Sequence, residues 1–184
     1  MNETELINKC KSGDNIARKK LYEAYSRQMM AICYRYIGDR GTSEDILHDG
    51  FIKIFTSISS FEYRGEGSLK AWMSRIFVNL SLEYLRKNDQ IIKNSTPIEE
   101  WRETDADVEE DEIEQVPDQV LMEFISQLPE GYRAVFNMYM FEDLSHKDIG
   151  DALGINEASS RSQLSRAKSI LVKKVQDYIK THEG

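Results

Sequence analysis

The residues best suited to chemistry lie near the C-terminus. Ser162, Ser165, Arg166 and Ser169 fall on one side of a predicted helix, with Arg161 and Lys168 on its flanks. Leu164, Ala167, Leu171, Val175 and Tyr178 recur at spacings of three and four and make the opposite, apolar stripe. Small hydroxyl side chains let a helix sit deep in the DNA major groove. Arginine can fork onto a guanine edge or neutralise a phosphate. The pattern therefore points to reading duplex DNA. The plain alternative is an ordinary helical hairpin with a solvated basic face.

Two further constellations carry possible chemistry. Phe61, Tyr63, Arg64, Lys70, Trp72 and Arg75 interleave aromatic and basic groups, the combination that single-stranded nucleic acid needs for base stacking and phosphate contact. The competing reading is that the Trp72 indole is simply core. Glu44, Asp45, His48 and Asp49 fall within two helical turns. They suit a divalent metal, as a nuclease would require, or an acidic docking face. No second ligand set accompanies them, so no metal is expected. Gly65 and Gly67 lack the lysine–serine sequel of a phosphate loop. The three histidines, His48, His146 and His182, build no nucleophilic triad. No cofactor is implied.

The elements that must position these groups all read as helices. Ser145 with Asp148 is a capping box, followed by the stripe Ile149, Ala152, Leu153 and a terminating Gly154. Asn156 then caps the basic helix, and Glu157 in its first turn suits the helix dipole. Two helices with a tight glycine turn between them form a helix-turn-helix. At the other end, Leu6, Ile7 and Cys10 predict a short helix ending near Ser12 and Gly13. Asp14 caps a long helix with the stripe Ala17, Leu21, Tyr25, Met29, Ile32 and Tyr36. Gly38 and Gly41 break it, and Thr42 with Asp45 predicts a second capping box. That third helix turns Ile46, Phe51, Ile54, Phe55 and Ile58 inward and Glu44, Asp45, Asp49 and Lys53 outward. Residues 59–67 form a loop. Ser68 is expected to cap a fourth helix with the stripe Leu69, Trp72, Met73, Ile76, Leu80 and Tyr84.

The net charge of −8 over 184 residues is unevenly spread. Residues 95–118 carry eleven acidic side chains and one basic, whereas residues 156–184 carry six basic and three acidic. An acidic chain binds nucleic acid if each folded unit presents a basic face. The acidic run has almost no large apolar residue, so a disordered linker is expected there. Beyond it, Val120, Leu121, Phe124, Ile125 and Leu128 predict one helix, and residues 130–141 another with Tyr132, Val135, Phe136, Met138 and Tyr139 apolar. No run approaches the roughly 18 apolar residues of a membrane span. The N-terminal residues show no signal-peptide core, so a cytoplasmic protein with Cys10 and Cys33 reduced is expected. The prediction is an all-α protein: one small helical domain over 1–94, a flexible acidic linker over 95–118 and a second helical domain over 119–184.

Taken together, four stretches resemble the sigma factors of bacterial RNA polymerase, in the extracytoplasmic-function class of the sigma-70 family. SEDILHDGFIKIF is similar to the helix that grips the polymerase clamp. FEYRGEGSLKAWMSRIFVNLSLEYLRK is similar to the strand-opening region, including Trp72, Ile76, Asn79 and Arg86. LMEFISQLPEGYRAVFNMYMFEDLSHKDIGDALGI and EASSRSQLSRAKSIL resemble the upstream-element domain and its recognition helix. Gly150 stands where the family usually has alanine, Ser160 where it usually has an apolar residue, and Glu83 where it usually has aspartate.

The resemblance implies a non-enzymatic, dissociable polymerase subunit that recognises and melts promoters. It implies core polymerase docking through Asp45, Asp49, Phe51 and Ile54. Contact with the opened minus-ten strand falls to Phe61, Tyr63, Arg64, Lys70, Arg75, Asn79 and Arg86. Readout of the minus-thirty-five element falls to Arg161, Ser162, Ser165, Arg166 and Lys168. An anti-sigma factor is a further expected partner, and membrane insertion is not expected. Two other classes compete: a stand-alone helix-turn-helix regulator and a metal-dependent nuclease.

Overall fold

A computed structural model describes residues 2–87 and 116–182, and all their regular structure is helical. The chain divides into two compact units at the C-terminal end of the fourth helix. The first holds α1 (Glu3–Lys11), α2 (Asn15–Ile37), α3 (Arg40–Ser57), a 3₁₀ turn (Ile58–Ser60) and α4 (Ser68–Lys87). The second holds α5 (Asp118–Ser126), α6 (Glu130–Met140), α7 (His146–Leu153) and α8 (Glu157–His182). The expected linker lies outside the described residues except for its last three. Of these, Val116 is buried and Asp118 opens α5, so the second fold begins ahead of residue 119.

In the first unit α2 and α3 form an antiparallel hairpin. The Asp14 carboxylate caps α2 by accepting from the backbone N–H of Ile16 and Ala17, and these bonds hold its carboxyl below the usual range. Gly38 ends α2 in a left-handed conformation at φ 77°. The next helix does not start at the predicted Thr42–Asp45 box. Asp39 is the cap, accepting from the Thr42 N–H, and Gly41 sits inside the first turn. Asp39 wins because its short carboxylate reaches the third amide, leaving Thr42 as the group that is capped.

The buried side of α4 also differs from the expected stripe. Leu69 and Met73 are buried as expected, but the stripe continues through Phe77 and Ser81 rather than Ile76 and Leu80, which stay half-exposed. Phe77 sets this rotation. Its ring packs against Phe51 at 5.6 Å between centroids and lies over the backbone of Gly50. Ser68 is not the cap either. Gly67 offers its carbonyl to the Ala71 N–H, and Ser68 is the first helical residue.

The second unit is a bundle around Ile125, Leu128, Tyr132, Val135, Met138, Ile149, Leu153, Leu164, Ala167 and Val175. Leu171 and Tyr178 are half-buried, and Tyr139 lies at the surface. The Ser145–Asp148 box forms reciprocally, Gly154 adopts φ 70°, and Asn156 accepts from the Ser159 N–H at 2.7 Å. Gly150 makes the turn tight: the Ile155 N–H donates to its carbonyl at 3.1 Å, and a Cβ there would fall 2.7 Å from the Ile155 carbonyl. Ser160 is fully buried, and its hydroxyl lies 2.9 Å from His146 Nδ1, tying the start of α7 to α8.

Candidate nucleic-acid interface

In the first unit, the loop before α4 is held from two sides. The Lys11 ammonium of α1 donates to the Phe61 carbonyl at 2.6 Å. The Ser68 hydroxyl donates to the Gly65 carbonyl at 2.7 Å and accepts from the Arg64 N–H at 3.2 Å. Gly65 and Gly67, at φ 114° and 81°, allow the chain to double back between these anchors. The result is a pocket of about 370 Å³ lined by Ser60, Phe61, Glu62, Arg64, Ser68, Ala71, Trp72 and Arg75. Its floor is aromatic, with Phe61 tilted against Trp72 at 5.0 Å. Its rim carries the guanidinium groups of Arg64 and Arg75 and the Glu62 carboxylate, which pairs with Arg64 at 3.4 Å, so one cation is left in excess. An apolar floor with a cationic rim suits a planar base attached to a phosphate backbone.

Arg75, Asn79 and Arg86 follow Trp72 at spacings of three, four and seven, so they extend one face of α4 away from the pocket. All three are exposed. Lys70 is exposed too, but two residues from Trp72 and five from Arg75 it projects from another face and does not line the pocket. Tyr63 stands on the loop, 42% exposed.

In the second unit, α8 turns Arg161, Ser162, Ser165, Arg166 and Lys168 outward, all exposed, while Ser160, Gln163, Leu164 and Ala167 are buried. Arg161 pairs with Glu157 at 2.7 Å, a surface bond that DNA can displace at little cost. The Lys168 ammonium lies 5.8 Å from the Tyr139 ring centroid. Arg166 Nη1 donates to the Tyr132 hydroxyl at 3.2 Å. The serines between these cations leave the helix narrow enough to enter a groove.

Both units match known families. Residues 21–91 match the model of sigma-70 region 2, and residues 118–171 match that of sigma-70 region 4. The chain belongs to the sigma-70 family. Among curated relatives, it is 26% identical to an extracytoplasmic-function sigma-E factor of Haemophilus influenzae, over 96% of each chain. It is 26% identical to the extracytoplasmic-function sigma factor SigW of Bacillus subtilis, over 93% of this chain and 95% of the relative. A solved structure of the sigma factor RpoE with the anti-sigma factor NepR from Bartonella quintana is similar over 86% of this chain and 96% of that one, at 18% identity and a TM-score of 0.49. This sigma factor directs promoter recognition and transcription initiation as a partner of core RNA polymerase. Among the described residues, no helix is long and apolar enough to cross a membrane.

Three expected contact residues of the sigma factor are buried in the structure. Phe51 is 3% exposed, Ile54 is fully buried and Phe61 is 5% exposed. Phe51 packs between Tyr22 and Phe77, and with Ile54 it holds α3 in place. Phe61 supports Trp72 from beneath. Asp45 and Asp49 are exposed at i,i+4 on α3, and Ile52, three residues beyond Asp49, projects beside them at 62% exposure. Ile52 went unread because it sits in an apolar cluster, and only the helical phase of the two aspartates separates it from its buried neighbours. Glu44 bonds Arg40 at 2.9 Å.

Proposed function

We propose that the sigma factor divides promoter recognition between its two units. The first unit docks on core polymerase through the α3 face of Asp45, Asp49 and Ile52. It takes an unstacked base of the minus-ten strand into the pocket beneath Arg64 and Arg75, with Tyr63, Asn79 and Arg86 along the strand. The second unit enters the major groove of the minus-thirty-five element with α8, where Arg166 meets a base and Arg161, Ser162, Ser165 and Lys168 meet bases or phosphates. The observation that carries the reading is the aromatic-floored pocket with its cationic rim. Unpairing a base costs a few kcal/mol, and stacking with phosphate contact offsets about 1–3 kcal/mol per base.

The protein performs no catalytic step of its own in this reading and works in the cytoplasm with the polymerase. Exposed Tyr139, Met140 and Phe141 on the second unit offer an apolar surface to a protein partner, core polymerase or an anti-sigma factor. The test is transcription by sigma-free core polymerase on a library of genomic promoters, with permanganate footprinting of the opened bases. The chain should start transcription from a defined promoter set, and Arg75→Ala should reduce opening while upstream protection persists. Tight operator binding without polymerase, or metal-dependent cleavage of DNA, would replace this reading with a regulator or a nuclease.

A further inference from the structure

The arginine proposed to read a base is already engaged within the protein. Arg166 lies on the exposed arc of α8, yet its Nη1 reaches back to the hydroxyl of Tyr132, at 3.2 Å. Tyr132 sits in the first turn of α6 and is 3% exposed, so neighbouring side chains fix its ring. A buried tyrosine hydroxyl needs a polar partner, and here the partner comes from 34 residues away, on the recognition helix. A free surface arginine samples many rotamers and loses that freedom on binding. Arg166 has lost part of it beforehand. With Nη1 held, the guanidinium edge made by Nε and Nη2 is not the one that Tyr132 engages. That edge carries two parallel N–H donors at the spacing of guanine N7 and O6.

We propose that Tyr132 is a positioning residue for Arg166. Its hydroxyl pins Nη1 so that the Nε–Nη2 edge is presented to one guanine of the upstream promoter element before DNA arrives. The proposal rests on the reading of Arg166 as a base contact. It assigns to the core of α6 a part in sequence discrimination that the exposed face of α8 alone does not account for.

The experiment uses holoenzyme reconstituted from core polymerase and the full chain. Transcription is measured on single-base variants of the upstream element for the unaltered chain, Tyr132→Phe, Arg166→Ala and the double variant. Arg166→Ala should flatten the preference at one or two base pairs. Tyr132→Phe keeps the ring and should lower discrimination at those same positions about three- to tenfold, leave other positions unchanged, and add nothing in the Arg166→Ala background. An unaltered profile for Tyr132→Phe beside a flattened one for Arg166→Ala overturns the positioning role while the base contact stands. Equal losses on all promoters from Tyr132→Phe reduce it to a packing role and also overturn the proposal. An unaltered profile for Arg166→Ala removes the base contact, and the proposal with it. Should Tyr132→Phe melt early, nitrogen NMR of the unaltered chain decides instead. Slowed rotation of the Arg166 guanidinium supports the pin, and free rotation overturns it.

Discussion

Gly50 of α3 lies directly beneath the ring of Phe77 on α4. A Cβ at position 50 would fall 2.1 Å from one ring carbon and 2.6 and 2.7 Å from two more. The ring is fully buried and also packs on Phe51, so it has no empty space to retreat into. Gly50→Ala should therefore push α3 from α4. Overpacking of this kind costs about 3 kcal/mol at the upper end of its usual range. Alanine's helix preference returns about 1 kcal/mol, which leaves a net loss of about 2 kcal/mol. Urea unfolding followed by circular dichroism measures it. A cycle with Phe77→Leu should show coupling, the double variant being more stable than the two single losses imply. Additive losses would mean the helices separate without regard to the ring.

The α3 face gives a second prediction. Asp45 and Asp49 are exposed, so reversing their charge leaves the fold intact. Placing arginine where the partner surface expects carboxylate costs several kcal/mol. Asp45→Arg with Asp49→Arg should weaken core polymerase binding at least about tenfold while leaving thermal unfolding unchanged. Co-elution with core enzyme on a sizing column reads the first, and calorimetry the second. Ile52→Asp should act in the same direction. Wild-type co-elution of the double variant would move the docking face elsewhere.

Burial pushes the Cys33 thiol up to about 12, although contact with Ser81 opposes the shift. An unfolded thiol titrates near 8.5. Between those values the folded chain keeps a proton that the unfolded chain releases. The stabilisation is therefore whole below about pH 8.5 and falls as pH rises towards 12. From pH 8 to 10.5 the loss should reach about 2.5 kcal/mol, at about 1.36 kcal/mol per unit. Cys33→Ala should lack that share while keeping the contributions of Cys10 and the tyrosines. Parallel pH slopes for the two proteins would refute it. In the native protein at pH 8, neither buried thiol should react with iodoacetamide.

Local chemistry was the legible part of the sequence. Gly38, Gly154, Asp14, Asn156 and the Ser145–Asp148 box each fix a helix end through atoms within four residues, so residue type and spacing reveal them. Two adjacent signals competed at the start of α3, and Asp39 prevailed over Thr42 through a reach that spacing does not encode. The rotation of α4 was ambiguous because apolar residues surround that helix on most sides. A distant glycine, Gly50, selects the face that turns inward. The exposure of the charged and small polar residues expected at the interface was readable, because such groups keep their solvation at the surface. The burial of Phe51, Ile54 and Phe61 was not legible, because a motif marks positions without saying which way a side chain points. The contact between Arg166 and Tyr132 joins residues 34 apart, and no period or cap reports it.

Arg133 supplies the last prediction, and it too escaped the sequence reading. It is only 4% exposed, and its Nη1 donates to the Ser126 carbonyl at 2.6 Å and the Leu128 carbonyl at 3.1 Å. These carbonyls stand at and just past the C-terminal end of α5, where the last turn has no helical donor. A cation there also complements the helix dipole. Arg133→Met keeps the stem and removes the donors that serve the Ser126 and Leu128 carbonyls. The loss should be about 3 kcal/mol, with amide exchange rising first across residues 121–126. Arg133→Lys carries one ammonium in place of the planar fork and should restore about half, since it can serve one carbonyl well but not both. An unchanged unfolding midpoint for Arg133→Met would mean that water serves the two carbonyls and that the packing of Ile125 and Leu128 holds α5 alone.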